Sequence, residues 1–374
     1  MIDIEIIVLS TVTVATAFAL CLSLVVLSQS RWKFLIRNGD LKAVQTAHSK
    51  PASRLGGVAV ITAFVAGAGL TYGHSGPLLL ALLLSATPLF LSGAAEDLGY
   101  NVSPIGRLGA ALLSCALAVL LTKSWIDGTG VGVLNPLFDW VPFAVLVTIF
   151  GTAAVSHAFN LIDGLNGLSG FMSLIVNAGI GATAVIVDDH EIAIFCTLLA
   201  SASLGFLLIN FPSGKIFLGD AGAYTLGFLL AWLGVVLASR NEDVTPIAMF
   251  LILFWPLADI IMSIYRRYLK KQPVLHPDKL HFHQIVMRGL EIGILGRRRR
   301  SIANPMAAVL MIPAISAPAV LGVIFHASPG AAAFSMFLLF VAFVVSYNIG
   351  VRFLSKIRKG KKMATATSAI SYRS

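Results

Sequence analysis

The sequence predicts an all-α, polytopic helix bundle set in a membrane, and three observations carry that prediction. Hydrophobic residues make up 57% of the 374 and charged residues only 12%, with a mean hydropathy of +0.88. A soluble exterior needs roughly 25–35% charged residues, so a soluble enzyme, a nucleic-acid binder and a disordered chain are all excluded. The apolar residues also fall into windows of about 20, the length of a helix that crosses a bilayer. Finally, lysine and arginine gather in alternate loops, as the positive-inside rule requires of a multi-span protein.

Taken in order, the windows number about eleven. The first, about 4–27, is too long for a signal-peptide core and has no small-residue cleavage site, so it reads as a retained helix. The basic segment 28–54 follows it. Spans at about 55–72 and 78–95 then lead back to a turn at 96–107, and spans at about 107–122 and 141–159 return to the segment 160–169. Those at about 170–187 and 191–210 end at the turn 210–222, and those at about 223–239 and 246–265 open into the long loop 266–304. Spans at about 305–325 and 331–351 deliver a basic tail. These inner segments hold 25 of the 27 lysines and arginines; the other side has only Lys123 and Arg240. The rich side is therefore read as cytoplasmic, with the N-terminus outside and the C-terminus inside. A single miscounted helix would destroy that asymmetry. The formal charge of +10 belongs to this membrane-side bias and not to nucleic acid. Residues 1–354 form one transmembrane domain and 355–374 a basic cytoplasmic tail. Cys21, Cys115 and Cys196 lie inside apolar runs, which points away from a disulfide framework or a zinc cluster.

The acidic residues sharpen the picture. Glu96, Asp97, Asp163, Asp220, Asp259 and Asp278 fall at or near inner ends of spans, whereas Asp188, Asp189, Glu191, Glu242 and Asp243 occupy outer turns and read as solvated. A secondary transporter would place its acids near the midplane between paired repeats with broken helices. No repeat is evident here, and the acids cluster at one face.

Four inner segments and one loop carry the candidate chemistry. In His48-Ser-Lys-Pro-Ala-Ser-Arg54-Leu-Gly56-Gly57, cations beside paired glycines suit an anion approached closely by backbone; an inner-face anchor followed by a tight helix contact is the rival reading. Glu96 and Asp97 are adjacent carboxylates, which repel unless a metal or cation lies between them, and negative charge is disfavoured at a helix C-terminus. Asn160, Asp163 and Asn166 recur every three residues on one helical face, with Gly164, Gly167 and Gly170 among them. Plain helix packing explains the glycines but not the amide–acid–amide series. Asp220, between Gly219 and Gly222 at a helix start, is well placed for Mg²⁺ and diphosphate. The loop motif His276-Pro-Asp278-Lys-Leu-His281-Phe-His283 has no further soft ligands nearby, so phosphate contact is preferred over a transition metal. Asp259 is positioned to pair with a neighbouring cation, and the arginines 297–300 read as headgroup contacts. Hard oxygen ligands, glycine turns and cations on one membrane face match Mg²⁺-assisted chemistry on a diphosphate with a membrane-resident second substrate.

These motifs, from Arg54-Leu-Gly-Gly to His283, resemble the polyprenyl-phosphate N-acetylhexosamine-1-phosphate transferases. The Asn160-Leu-Ile-Asp-Gly-Leu-Asn-Gly and Phe217-Leu-Gly-Asp-Ala-Gly segments are highly specific together. The loop Asp278-Lys-Leu-His281-Phe-His283 looks more like the branch that starts O-antigen, enterobacterial common antigen or teichoic acid linkage than the muramoyl-pentapeptide branch. The resemblance implies an enzyme of the bacterial cytoplasmic membrane. Polyprenyl phosphate, undecaprenyl phosphate in bacteria, would attack a UDP-N-acetylhexosamine to give the lipid-linked diphosphate sugar and UMP. It implies carrier-phosphate binding or activation at Glu96 and Asp97, with Asp220 completing the catalytic set. It also implies Mg²⁺, for which Mn²⁺ is a substitute, held by Asp220 and Asn160. Asp163 would serve the nucleotide side, and His281 and His283 the substrate phosphate or sugar. His48, Arg54, Asn166 and Asp278 complete the expected substrate contacts. Whether the protein forms a homodimer is left open. Three positions depart from the family pattern: Glu96 replaces the commoner first aspartate, His157 an asparagine and Asn166 an aspartate. These put the nucleotide and sugar contacts in doubt more than the activity.

Overall fold

The computed structural model describes residues 4–29, 52–133, 135–271, 280–296 and 299–371, with side chains left out at 72–75 and beyond 357. His48 and Asp278 lie outside the described residues, as do the rest of 30–51 and 272–279. The described chain is helical: α1 Ile4–Gln29, α2 Gly56–Gly69, α3 Tyr72–Asp97, α4 Pro104–Thr122, α5 Asn135–Phe138, α6 Val141–Ile162, α7 Leu168–Ile186, α8 His190–Asn210, α9 Gly219–Arg240, α10 Pro246–Ile252, α11 Phe254–Leu269, α12 Phe282–Leu290, α13 Arg300–Ile324 and α14 Pro329–Ser371.

Among the described residues, nine helices are long and apolar enough to cross a membrane, and α10 with α11 makes a tenth if that bent pair is one span. Two expected spans differ from this. The second window forms α2, only 14 residues, or about 21 Å at 1.5 Å per residue, short of the roughly 30 Å hydrocarbon core. The ninth window is not one rod: α10 and α11 meet at Leu253 with a bend of 80°. Pro256 explains the break, because it has no N–H for the carbonyl of Ile252 and its ring would collide with that carbonyl. Beyond the bend, α11 buries Asp259, Ser263 and Arg267 on one face and exposes Ile261, Ile264, Tyr265 and Tyr268 on the other.

The helix α9 is the axis of the bundle, buried on every side from Gly219 to Leu237, as a helix hydrophobic all round must be. Three helices, α2, α3 and α6, approach its first turns through missing side chains. A Cβ on Gly57 would lie 2.0 Å from the Cα of Gly222, one on Gly93 would lie 2.5 Å from Ala221, and one on Gly227 would meet Phe159 at 2.7 Å. Small residues of this kind let helices pack backbone to backbone where no water drives association. Pro88 lies inside α3, and the N–H of Leu89 after it is taken across the interface by Ser114 Oγ of α4, at 3.1 Å.

The helix ends sort into two sets. At one end α2, α4, α7 and α9 begin and α3, α6 and α8 finish, and all the polar contacts of the candidate site lie there. At the far end, Thr245 ahead of α10 donates its N–H to His326 O between α13 and α14, at 2.8 Å.

Candidate active site

The site is organised by the first turn of α9. A helix start leaves its first N–H groups without intrahelical partners, and here two carboxylates from other helices take them. Asp97, the last residue of α3, accepts the N–H of Asp220 at 2.9 Å and of Ala221 at 2.8 Å. Asp163, just past α6, draws on the N–H of Gly219. The positive end of the helix dipole favours both carboxylates. Gly219 is required where it sits: its φ is +75°, and a Cβ would lie 1.9 Å from Arg54 O and 2.6 Å from Asp97 Oδ2.

Because its own helix start is already capped, Asp220 turns its carboxylate outward to two arginines. Arg54 Nη2 reaches Oδ1 at 2.7 Å and Arg107 Nη1 reaches Oδ2 at 2.9 Å. Arg54 also lies 3.3 Å from Asp97 Oδ1 through Nε. It is held by a short backbone pairing between its own strand-like segment and the approach to α9: Phe217 donates its N–H to Ser53 O at 2.8 Å, and Gly56 donates to Phe217 O at 2.9 Å. The cation expected between the adjacent acids is thus Arg54, and it serves Asp97. Glu96 instead accepts the Val102 N–H at 2.7 Å and fastens the α3–α4 turn.

Asp163 leaves α6 through an inverse γ-turn, with φ −69° and ψ 53° and Gly164 N–H bonded to Ile162 O at 2.6 Å. Its Oδ1 accepts from Ser169 Oγ, on the first turn of α7, at 2.7 Å. Burial raises its pKa to about 6, against the lowering pull of the Ser169 hydrogen bond and Arg54. The same loop is tied down by asparagines. Asn210 accepts the Gly167 N–H and donates to Ile216 O, both at 2.6 Å. Asn166 donates its side-chain amide to Pro212 O at 2.8 Å, while its N–H goes to Asn304 Oδ1 at 2.7 Å. An aspartate at 166 could not make that donation, so this departure has a structural account. His157 packs edge-on to Tyr224 with ring centroids 4.9 Å apart, one helical turn before Asn160.

The loop histidines close the site from α12. His281 Nδ1 lies 2.8 Å from Asp259 Oδ2, and its ring stacks on that of His283 at 5.8 Å and 7°. Nε2 of His283 lies 2.8 Å from where a Cβ on Gly164 would be. Burial pushes the pKa of His283 down to about 3, so it is a neutral imidazole and not a cationic phosphate contact.

All five candidate segments therefore converge, through Arg54, Asp97, Asp163, Asp220 and His283. Arg107, Asn210, Ser169, Tyr224 and Asn304 join the site although no sequence motif marks them. The one hint in the sequence is Arg107 itself, a lone cation where the 96–107 turn meets an apolar window. The start of α9, expected to receive diphosphate, has its first N–H groups filled by Asp97 and Asp163.

Among the described residues no group of three or more His, Cys, Asp and Glu side chains is arranged to hold a metal ion. A site completed by substrate fits better. A carboxylate offers about four acceptor positions, of which the two arginines occupy two on Asp220. Asp163 lies within electrostatic range of Asp220, and Asn160 is on the adjoining last turn of α6. This all-oxygen donor set suits a hard cation that takes its other ligands from phosphate and water.

Residues 79–238 match the model of glycosyl transferase family 4. A probable undecaprenyl-phosphate N-acetylglucosaminyl 1-phosphate transferase of Bacillus subtilis (strain 168) is 29% identical over 252 residues, which is 66% of this chain and 69% of the relative. An undecaprenyl-phosphate alpha-N-acetylglucosaminyl 1-phosphate transferase of Escherichia coli (strain K12) is 27% identical over 235 residues, 61% of this chain and 62% of the relative. The Yersinia pestis protein of the same description is 29% identical over 174 residues, 45% and 47% of the two chains. The alignments thus span from about half to just over two thirds of these relatives. They bear out the superfamily and the branch that the motifs resemble.

Proposed function

We propose that this chain, which carries the glycosyl transferase family 4 pattern over residues 79–238, transfers N-acetylhexosamine-1-phosphate from a UDP-sugar to undecaprenyl phosphate. One observation carries the reading: Asp220 is presented at the centre of the inner-face motifs with a guanidinium on each oxygen. Paired arginines beside hard carboxylates suit a diphosphate and a phosphate monoester in one site.

An oxygen of the lipid phosphate attacks the sugar-linked phosphorus, the bond from that phosphorus to the bridging oxygen breaks, and UMP leaves with the electron pair. The acceptor phosphate has its second pKa near 6 and is largely dianionic at neutral pH. It needs positioning and charge shielding more than a strong base. Arg54 and Arg107 shield the like charges of the two phosphates as they approach. Asp97, with its oxygens committed to α9 and Arg54, holds Asp220 in place. Asp220 and Asn160 would hold Mg²⁺, which when bound neutralises charge developing on the leaving phosphate. The displacement is single, with no phospho-sugar enzyme. The site end of the bundle faces the cytoplasm, the N-terminus lies outside, and the product opens synthesis of a cell-envelope polysaccharide at the bacterial inner membrane.

The test is purified protein with undecaprenyl phosphate, Mg²⁺ and a panel of UDP-sugars. UMP release that depends on the lipid, with a matching lipid-linked product, is expected for one UDP-N-acetylhexosamine. Its absence across the panel would remove the reading. Labelled UMP should exchange into the UDP-sugar only with lipid present, and exchange by delipidated protein would overturn the single displacement.

A further inference from the structure

The buried polar cluster on α11 and α12 carries more than a loop contact. Asp259 is 3% exposed, and His281 and His283 are 2% and 1% exposed. The carboxylate of Asp259 divides its oxygens: Oδ1 accepts the Phe282 N–H at 2.9 Å and Oδ2 meets His281 Nδ1 at 2.8 Å. The first bond caps α12, whose N-cap residue, His281, makes no side-chain cap of its own. The second fixes the His281 ring. Trp255 and Phe343 pack on Phe282 with centroids 5.1 and 5.2 Å away, so the arrangement is held from the apolar side too.

The other nitrogen of each imidazole is left over among the described residues. Nε2 of His281 and Nε2 of His283 are both buried and have no hydrogen-bond partner among the described residues, a state that native interiors rarely tolerate without an occupant. The rings are stacked nearly parallel, and the His283 nitrogen is aimed at Gly164, next to Asp163. A capping role for Asp259 accounts for one oxygen. It does not account for an oriented pair of rings, one of which sets its unpartnered nitrogen against Gly164.

We propose that Asp259 is a positioning residue of the transfer: it holds His281, and through the stack His283, so that their two Nε2 atoms form a hydrogen-bonding edge for the hydroxyl and amide groups of the donor's sugar. The inference rests on the transferase reading above. Carboxylate partners that orient metal-ligating histidines through the second ring nitrogen act in this way, and their loss costs about 10- to 100-fold; the same scale is expected here.

The test is a double-mutant cycle on the full-length protein with UDP-N-acetylglucosamine, or whichever UDP-sugar proves active, and undecaprenyl phosphate. Asp259→Asn keeps an oxygen for the Phe282 N–H, so α12 stays capped, but its amide turns a donor toward His281 Nδ1 and reverses the tautomer. Asp259→Asn and His281→Gln should each lower turnover about 10- to 100-fold. The double variant should be no slower than His281→Gln alone, because Asp259 acts through that ring. Losses that multiply would mean that Asp259 is only structural and would overturn the proposal. A second readout needs no activity: ¹⁵N-histidine NMR should show His281 protonated at Nδ1 in the parent protein and not in Asp259→Asn. An unchanged ring would equally overturn it. Should Asp259→Asn fail to fold, Asp259→Glu takes its place, and recovery of turnover over Asp259→Ala is then expected, with equal loss the opposing result. A parent protein inactive with every UDP-sugar would sink the transferase reading, while the NMR result would still decide whether the pair exists.

Discussion

Asp97 and Asp220 are joined through a helix start and not through their charges: the carboxylate of one holds the backbone N–H of the other at 2.9 Å. Asp97→Asn keeps one acceptor and loses both the second N–H bond and the pairing with Arg54. Helix capping bonds are worth about 1 kcal/mol, and hydrogen bonds to charged groups about 1.5–3 kcal/mol. The variant should therefore lose thermal stability as well as turnover, with a pH–rate profile of unchanged shape. A profile that loses its acid limb, at unchanged stability, would make Asp97 the base instead.

Asp220→Asn should behave differently. Arg54 and Arg107 are partly exposed and can turn to water, so folding should survive. Turnover should fall at least about 10²-fold, the scale for losing one electrostatic stabiliser, and the Mg²⁺ concentration for half-activity should rise. Wild-type kinetics from a well-folded variant would remove Asp220 from the proposed Mg²⁺ site.

Glu96→Asp keeps a carboxylate beside Asp97 and should keep activity within a few-fold of the parent. Its carboxylate, one methylene shorter, should no longer reach the Val102 N–H. Faster hydrogen exchange at 100–103 is the expected sign, and complete loss of activity would give Glu96 a chemical role.

His283 supplies a pH prediction. Its pKa is about 3 in the folded protein against an ordinary 6.5 or so, so the unfolded chain binds the extra proton between those values. Stability from this group is complete above about pH 6.5 and declines as pH falls toward 3. Between pH 6.5 and 5 the decline should be about 1.6 kcal/mol, the slope steepening toward about 1.4 kcal/mol per unit as the unfolded imidazole becomes fully protonated. Melting of the parent and of His283→Gln across that range should show the difference; comparing the two cancels the opposite contribution from Asp163. Parallel curves would mean that the imidazole is charged.

The helical bundle and the glycine-rich segments were legible because each is written locally, as a run of apolar residues or a short motif. The partners were not. Arg107 is 113 residues from Asp220, Asn166 is 138 from Asn304, and no local pattern announces a pairing over such distances. The 80° bend was hidden for another reason: α10 and α11 together have the length and hydropathy of one span, and only Pro256 dissents. Asp259 read as an acid awaiting a cation, and its partner proved to be a histidine in the loop.

The contact between Gly57 and Gly222 has an evolutionary consequence. Each already lacks a side chain, and each faces the other's backbone, so neither can be made smaller to accommodate growth in its neighbour. Compensating pairs, the usual route by which packed positions drift together, are closed to them. In a saturation library these two positions should accept almost nothing singly and gain nothing when randomised jointly, whereas the outward-facing residues of α11 should accept most apolar replacements.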